Sequence, residues 1–112
     1  MAKYEAELKG DFNEILEAID DAVMKRSSSA SLEDKSDFIA GDTACSVRVY
    51  ERFSYSGGNR VSMNITLLKA KDRIFVTVIT SGGSQAMFFK INTLGESSFL
   101  DTVTSELNKY RI

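Results

Sequence analysis

The sequence predicts an α+β domain, a two-layer sandwich in which two helices pack on one face of an antiparallel sheet. Three runs between residues 43 and 80 alternate apolar and polar side chains, and short polar turns separate them. Residues 11–26 and 93–110 instead place apolar residues at helical spacing. Period two puts successive side chains on opposite sides of a sheet, whereas spacings of three and four residues put them on one side of a helix. The predicted order is one strand, one helix, four or five antiparallel strands and a final helix.

The first strand and the first helix follow from local patterns. Residues 2–9 predict a strand, because apolar and charged residues alternate there. Asp11 predicts a helix start, since its side chain can accept from the amide of residue 14 while Glu14 reaches back. Lys25 and Arg26 close this helix, as the helix dipole prefers. Its apolar stripe comprises Phe12, Ile15, Leu16, Ile19 and Val23.

The second and third strands lead into the meander. Residues 28–40 predict a strand with a kink or bulge near residues 34–36, and Gly41 and Asp42 then turn the chain. In the next run we expect the apolar side chains to face the helices and the polar ones to face away. The apolar set is Cys45, Val47, Val49 and Phe53, and the polar set is Ser46, Arg48, Tyr50 and Arg52.

Two more runs complete the meander. Residues 56–59 and 70–73 predict the hairpin turns that precede them. The core sets are Val61, Met63, Ile65 and Leu67 in the first of these runs, and Ile74, Val76 and Val78 in the second. Residues 85–91 fit either a further strand or a short apolar turn. Thr93 with Glu96 predicts the start of the last helix, whose apolar stripe comprises Phe99, Leu100, Val103, Leu107 and Tyr110.

Composition narrows the function classes. The length of 112 residues predicts a single domain over residues 1–112. The net charge of −2 disfavours general affinity for nucleic acid or an anionic membrane. The chain contains no histidine, and Cys45, its only cysteine, excludes an internal disulfide. We therefore expect no metal, no cofactor and no enzymatic activity. Without a signal core or an apolar run of membrane-spanning length, a cytoplasmic location is expected.

Four segments carry a family resemblance: residues 29–34, 48–53, 57–62 and 79–85. They resemble those of a family of small bacterial proteins that is classed as a domain of unknown function. The resemblance spans essentially the whole chain and implies a free-standing cytosolic bacterial domain, but no catalytic or binding residues. The order of elements also resembles TATA-binding-protein-like and small helix-grip folds, and a fold alone does not determine a function.

The polar side of the predicted meander is the first candidate ligand site. Its members are Arg48, Tyr50, Arg52, Arg60 and Asn64. Guanidinium groups beside a tyrosine and an amide can bind a phosphate, a carboxylate or single-stranded nucleic acid. Phe75 and Ile79 share this side, so an ordinary solvated face or a face buried in a homo-oligomer explains it better.

Two further candidates are weaker. Strict alternation places Glu51 among apolar side chains, where it either marks a pocket mouth or occupies an exposed rim, and we favour the rim. Consecutive glycines can arrange backbone amides around an anion, but no helix signature follows here, so a turn is the better interpretation. This loop comprises Ser81, Gly82, Gly83 and Ser84.

Three functions remain open at this point. The leading hypothesis is a non-enzymatic binding or assembly module that acts as a homo-oligomer. The alternative is a carrier of a small anionic or apolar ligand, with a cavity between sheet and helices. Its candidate lining is Phe53, Met63, Phe88, Phe89, Phe99 and Tyr110. The third is a weak nucleic-acid binder through Arg48, Tyr50, Arg52 and Arg60, which the acidic pI makes unlikely.

Overall fold

A computed structural model describes residues 1–27, 29–53, 60–82 and 89–112, with the backbone alone for residues 89–96. The described residues form a five-stranded antiparallel sheet in the order β1-β5-β4-β3-β2, with two helices. The elements in chain order are β1 (Ala2–Leu8), α1 (Phe12–Arg26), β2 (Ser31–Ala40), β3 (Thr43–Phe53), β4 (Arg60–Ala70), β5 (Arg73–Gly82) and α2 (Phe89–Leu107). This confirms the predicted α+β class.

Helix α1 begins where the sequence predicts it. Asp11 has an extended backbone, with φ −90° and ψ 129°, and its carboxylate accepts from the Glu14 amide at 2.9 Å. Ile15, Ile19 and Val23 are fully buried, which confirms the apolar stripe. Because β1 and β2 lie at opposite edges of the sheet, α1 carries the chain from one edge to the other.

The C-terminal residues bind back to β1. The Lys9 amide donates to the Tyr110 carbonyl at 2.8 Å, and the Ile112 amide donates to the Glu7 carbonyl at 3.1 Å. Gly10 lies at this contact with φ +146°, and a Cβ there would lie 3.3 Å from Cδ1 of Tyr110. The positive φ therefore favours glycine, and a Cβ would in addition press on the Tyr110 ring, which would have to shift by a few tenths of an ångström.

The core lies between the helices and one face of the sheet. The residues predicted to face the helices in β4 and β5 all belong to it, which confirms the prediction for these two strands. From β1, Leu8 belongs to the core, and Tyr4 and Ala6 pack against it. The fully buried apolar residues of β4 and β5 are Val61, Met63, Ile65, Leu67 and Val78. From α2, Phe99, Val103 and Leu107 complete the core.

The predicted orientation of β3 is wrong. The register pairs Tyr50 with Met63 and Arg48 with Ile65, and residues paired across antiparallel strands share a face. Hence the polar set of this run points toward the helices, and the apolar set points away from them. Apolar and polar side chains do alternate along β3, but the polar ones are on the helix side, where they form hydrogen bonds with other side chains. Tyr50, for example, is only 1% exposed.

Helix α2 differs from the prediction at both ends. It begins at Phe89, so residues 89–91 are helical, and Thr93 lies inside the helix rather than at its start. Residues 85–88 and the predicted turn at 56–59 lie outside the described residues. At the other end, Tyr110 follows the helix in a turn. A threonine and a glutamate three residues apart are compatible with a helix interior, so the capping pattern alone does not locate a start.

Two local features are confirmed. The register of β2 shifts between Leu32 and Asp34, close to the predicted bulge. The β4–β5 connection is a tight turn in which Lys71 adopts a positive φ of 58°. Among the described residues, no helix is long and apolar enough to cross a membrane.

Candidate functional site

The side of the sheet that faces away from both helices, here called the outer face, exposes an apolar centre. On β3, the register assigns to it Cys45, Val47 and Val49, and their partners on β4 are Leu68, Thr66 and Asn64. These β4 residues are paired in turn with Phe75, Thr77 and Ile79 of β5. The central strands thus present no charged side chain on this face along these three rows. The charged groups of the face lie on the edge strands or at strand ends.

One row of the outer face is apolar across four strands. Phe38 of β2 pairs with Cys45, Cys45 with Leu68, and Leu68 with Phe75. At about 4.8 Å between strands, these four side chains span roughly 14 Å. Phe38 is 67% exposed, while the other three are half-buried by their neighbours. We call these four residues the apolar row.

Ion pairs border the apolar centre at the end of β3. Arg60 lies with its Nε 3.0 Å from Glu51 and its Nη2 3.4 Å from Glu33. Its guanidinium also lies 5.5 Å from the ring centre of Phe53. Glu51 thus lies near the end of β3 on the outer face, with 27% of its side chain exposed and Arg60 as its partner.

A second ion pair borders the outer face at the start of β5. Arg73 donates from Nε and Nη2 to the two carboxylate oxygens of Glu7, at 3.0 and 2.9 Å. These hydrogen bonds, and the positive charge of Arg73, lower the pKa of Glu7. Such a bidentate pair is geometrically specific. The arginine also lies over the ring of Phe75, with 4.9 Å to its centre.

The candidate cluster of sequence-predicted ligand residues does not form. Arg48, Tyr50 and Arg52 are on the helix side of the sheet, whereas Arg60 and Asn64 are on the outer face. The sheet therefore separates Arg52 from Arg60, which were expected to be neighbours. Arg52 instead lies over the ring of Phe99, with 4.6 Å to its centre.

Tyr50 joins the sheet to α1. Its hydroxyl donates to Oδ1 of Asp20 at 2.7 Å. Burial raises the pKa of Tyr50 above its ordinary value, and the hydrogen bond to Asp20 adds to this effect. The neutral phenol is the donor in this bond. The hydrogen bond therefore links α1 to β3, while the ring of Tyr50 packs in the core. This role is structural.

Arg48 and Asp37 form a polar cluster on the helix side of β2 and β3. The Ser46 hydroxyl donates to Oδ1 of Asp37 at 2.6 Å, and Nη1 of Arg48 donates to the same oxygen at 3.0 Å. The serine hydrogen bond, followed by that of Arg48, lowers the pKa of Asp37. Only 11% of the Arg48 side chain is exposed.

A groove that the sequence did not predict lies beside this cluster, between α1 and β2. It has a volume of about 710 Å³, and its apolar lining includes Phe12, Leu16 and Ile39. Every residue of β2 after Ser31 is exposed. The signal in the sequence was the adjacent pair Phe38 and Ile39, which places apolar residues on both sides of one strand.

The other candidates are distributed through the fold. Ser81 and Gly82 are the last residues of β5, while Gly83 and Ser84 lie outside the described residues. Of the predicted cavity lining, Met63 and Phe99 are fully buried core residues, Phe53 lies on the outer face and Phe88 is outside the described residues. In the described part of the chain, no group of three potential metal ligands is close enough to hold an ion.

Comparison with models of known protein families assigns the chain to one family. It belongs to the Family of unknown function (DUF6054), whose family model matches residues 1–111. No curated protein and no solved structure matches the chain. Like the family that the four sequence segments resemble, this family is one of unknown function. Membership therefore assigns no activity to the chain.

Proposed function

We propose that this member of DUF6054 is a non-enzymatic assembly module that forms a homodimer through the outer face of its sheet. The observation that carries the proposal is the apolar row of Phe38, Cys45, Leu68 and Phe75. A contiguous apolar patch that remains partly accessible to solvent often marks an interaction site.

The size of the outer face fits a stable dimer. Five strands spaced by about 4.8 Å and ten residues at about 3.3 Å each give a face of roughly 800 Å². A standard protein interface buries about 800 Å² on each partner. The whole face, rather than a fragment of it, therefore matches the area that a second copy needs.

The distribution of charge favours a second copy as the occupant. The centre of the outer face is uncharged, and the ion pairs Arg60–Glu51 and Arg73–Glu7 border it. An apolar centre with a polar rim is the usual anatomy of an interface. A two-fold interface brings the same patch of both copies together, so the patch must be complementary to itself. An uncharged apolar centre meets that condition, because no like charges are brought together.

Adjacent residues of β2 supply a matched pair of variants for the test. Phe38 points to the outer face, and Ile39 points to the helix side. Ile39 is the more exposed of the two, at 83% against 67%. Phe38→Lys places a charge in the apolar row, whereas Ile39→Lys places the same charge on the same strand but outside the proposed interface.

The measurement is molar mass by sedimentation equilibrium over a range of protein concentrations. We expect the wild type and Ile39→Lys to dimerise alike, and Phe38→Lys to dissociate at least ten-fold more readily, since a lysine buried without a partner is costly. A monomeric wild type at millimolar concentration would refute the proposal. Equal weakening by both variants would assign association to β2 itself instead of the outer face.

The two alternative functions have less support. Nucleic-acid binding required Arg48, Tyr50, Arg52 and Arg60 on one face, and the sheet divides them. A carrier with a cavity beneath the helices required space around Met63 and Phe99, and both are fully buried in the core. The assembly module is therefore the function that the geometry supports best.

A further inference from the structure

The groove between α1 and β2 has the dimensions and the lining of a small-molecule site. Its volume of about 710 Å³ falls within the range of about 300–1,000 Å³ that is usual for such sites. Phe12 and Leu16 of α1 and Ile39 of β2 form its apolar walls, and Arg48 also lines it. It lies mainly on the helix side of the sheet, and Phe38 of the edge strand β2 belongs both to its lining and to the outer face.

Arg48 has hydrogen-bonding capacity that the fold does not use. Within the described residues, both hydrogen bonds of its guanidinium come from Nη1, one to Asp37 and one to the Val47 carbonyl. Nε and Nη2 are left with donors for a further acceptor, on a side chain of which only 11% is exposed. Nearly buried donors are normally satisfied, so an acceptor from outside the protein is expected here.

A planar acceptor suits this guanidinium. A carboxylate can accept two parallel hydrogen bonds from the fork of an arginine. Lys69 and Lys71 line the same groove, so that with Arg48 it holds three cations. Three carboxylates, those of Asp11, Asp37 and Asp42, balance them. This balance favours a singly charged ligand over a dianion such as a phosphate monoester.

The walls determine the remainder of the ligand. Ile39 is 83% exposed, although it is a large apolar side chain on the groove. An aliphatic chain that lies between Ile39 and the α1 residues Phe12 and Leu16 would remove this apolar surface from water. The ligand class that suits both the Arg48 guanidinium and the apolar walls is a short aliphatic carboxylate.

We infer that the groove between α1 and β2 binds a small monocarboxylate with an aliphatic chain, whose carboxylate is held by Nε and Nη2 of Arg48. The groove is formed within one chain and lies mainly on the helix side of the sheet, although Phe38 of the apolar row also lines it.

Octanoate is the probe, and isothermal titration calorimetry of the full chain is the assay. Octylamine, with the same chain and the opposite charge, and inorganic phosphate, without a chain, are the matched controls. We expect octanoate to bind with a Kd below about 1 mM, which is an affinity typical of weak small-molecule binding. Octylamine and phosphate are each expected to bind at least ten-fold more weakly.

Two pairs of variants assign the binding to the groove. Arg48→Gln should weaken octanoate at least ten-fold, as expected for lost hydrogen bonds to a charged group. Asp37→Asn should strengthen it several-fold, because a competing carboxylate is removed while an oxygen remains for Ser46 and Arg48. Ile39→Asp should weaken binding and Ile39→Lys should strengthen it. The high exposure of Ile39 keeps this second pair informative even if Arg48→Gln fails to fold.

Three outcomes would overturn the inference. These are no octanoate binding at 10 mM, equal binding of octylamine, or octanoate affinity unaffected by the charge at residue 39. Binding accompanied by chemical-shift changes at Leu68 and Val47 rather than at Phe12 and Leu16 would assign octanoate to the outer face and would equally refute the groove. A wild type that stays monomeric would refute the dimer and leave the expected effects of the Arg48 and Ile39 variants on octanoate binding unchanged, so the two proposals fail separately. Phe38 is left unsubstituted in these titrations, because it also lines the groove.

Discussion

Replacing Tyr50 with phenylalanine tests the orientation of β3 that places polar side chains under the helices. Tyr50→Phe keeps the buried ring and removes only the hydroxyl that donates to Asp20 at 2.7 Å. A hydrogen bond to a charged group contributes about 1.5–3 kcal/mol to stability. Since Asp20 is exposed and water competes for it, we expect the lower end, about 1.5 kcal/mol. For a chain of this size that loss lowers Tm by about 6 °C.

The pH dependence of the same variant supplies a second signature. A tyrosine in the unfolded chain ionises near pH 10. The pKa of folded Tyr50 is higher, because of burial and the Asp20 hydrogen bond. Above about pH 10 the unfolded state therefore holds fewer protons than the folded state, and the contribution of Tyr50 to stability falls by up to about 1.4 kcal/mol per pH unit. The stability difference between wild type and Tyr50→Phe should thus be constant between pH 7 and 9 and shrink above pH 10.

Urea unfolding followed by circular dichroism measures both effects. Tyr4→Phe is the matched control, because its hydroxyl donates at 2.7 Å to the neutral amide of Asn108 in an exposed position. We expect this control to cost less than about 1 kcal/mol, the net value of an ordinary hydrogen bond. If Tyr50→Phe were no more destabilising than Tyr4→Phe, or its deficit did not diminish at high pH, the assignment of Tyr50 to the helix side would be wrong.

Two further predictions concern packing and capping. Met63→Ala should lower the free energy of unfolding by about 2–5 kcal/mol, as expected for a fully buried side chain, whereas Val49→Ala on the outer face should lower it by less than about 1 kcal/mol in the monomer. Both substitutions are made in the Phe38→Lys variant, which keeps the protein monomeric, and their effects are compared by urea unfolding. Equal losses of stability would contradict the assigned faces. Asp11→Ala should cost about 1 kcal/mol through loss of the α1 cap. Asp11→Ser should restore most of that loss in thermal unfolding, and failure to do so would remove the capping explanation.

Periodicity was sufficient to predict most of the fold. In β4 and β5 the alternating residues that were predicted to face the helices are all aliphatic and all buried, and in β1 Leu8 is buried while Tyr4 and Ala6 pack against the core. In α1 the cap and the stripe agree with each other. These elements needed no knowledge of their neighbours, because one apolar side of each had to be buried.

The face of β3 could not be predicted in the same way. Both of its sides carry groups that can be buried: Val47 and Val49 on one side, Tyr50 and Ser46 on the other. What decides the orientation is the set of partners from α1 and β2, namely Asp20 for Tyr50 and Asp37 for Ser46 and Arg48. Those contacts depend on the order of strands in the sheet, which periodicity does not contain.

The two candidate sites depend on the same missing information. The apolar row exists only because Phe38, Cys45, Leu68 and Phe75 come into register across four strands. The groove exists because β2 lies at the edge of the sheet and α1 passes beside it. Sequence reasoning did identify apolar residues on the second sheet face, Phe75 and Ile79, and from them the homo-oligomer hypothesis that the outer face now supports.

The central claim is that two copies bury the outer face against each other, and Cys45 reports on it directly. It is the only cysteine of the chain and lies within the apolar row, so alkylation labels a single position on the proposed interface. We expect its rate of reaction with iodoacetamide under native conditions to fall as protein concentration rises through the dimerisation range, and to be independent of concentration in Phe38→Lys. A rate that stays constant while the wild type dimerises would contradict the account, because Cys45 would then remain accessible in the dimer.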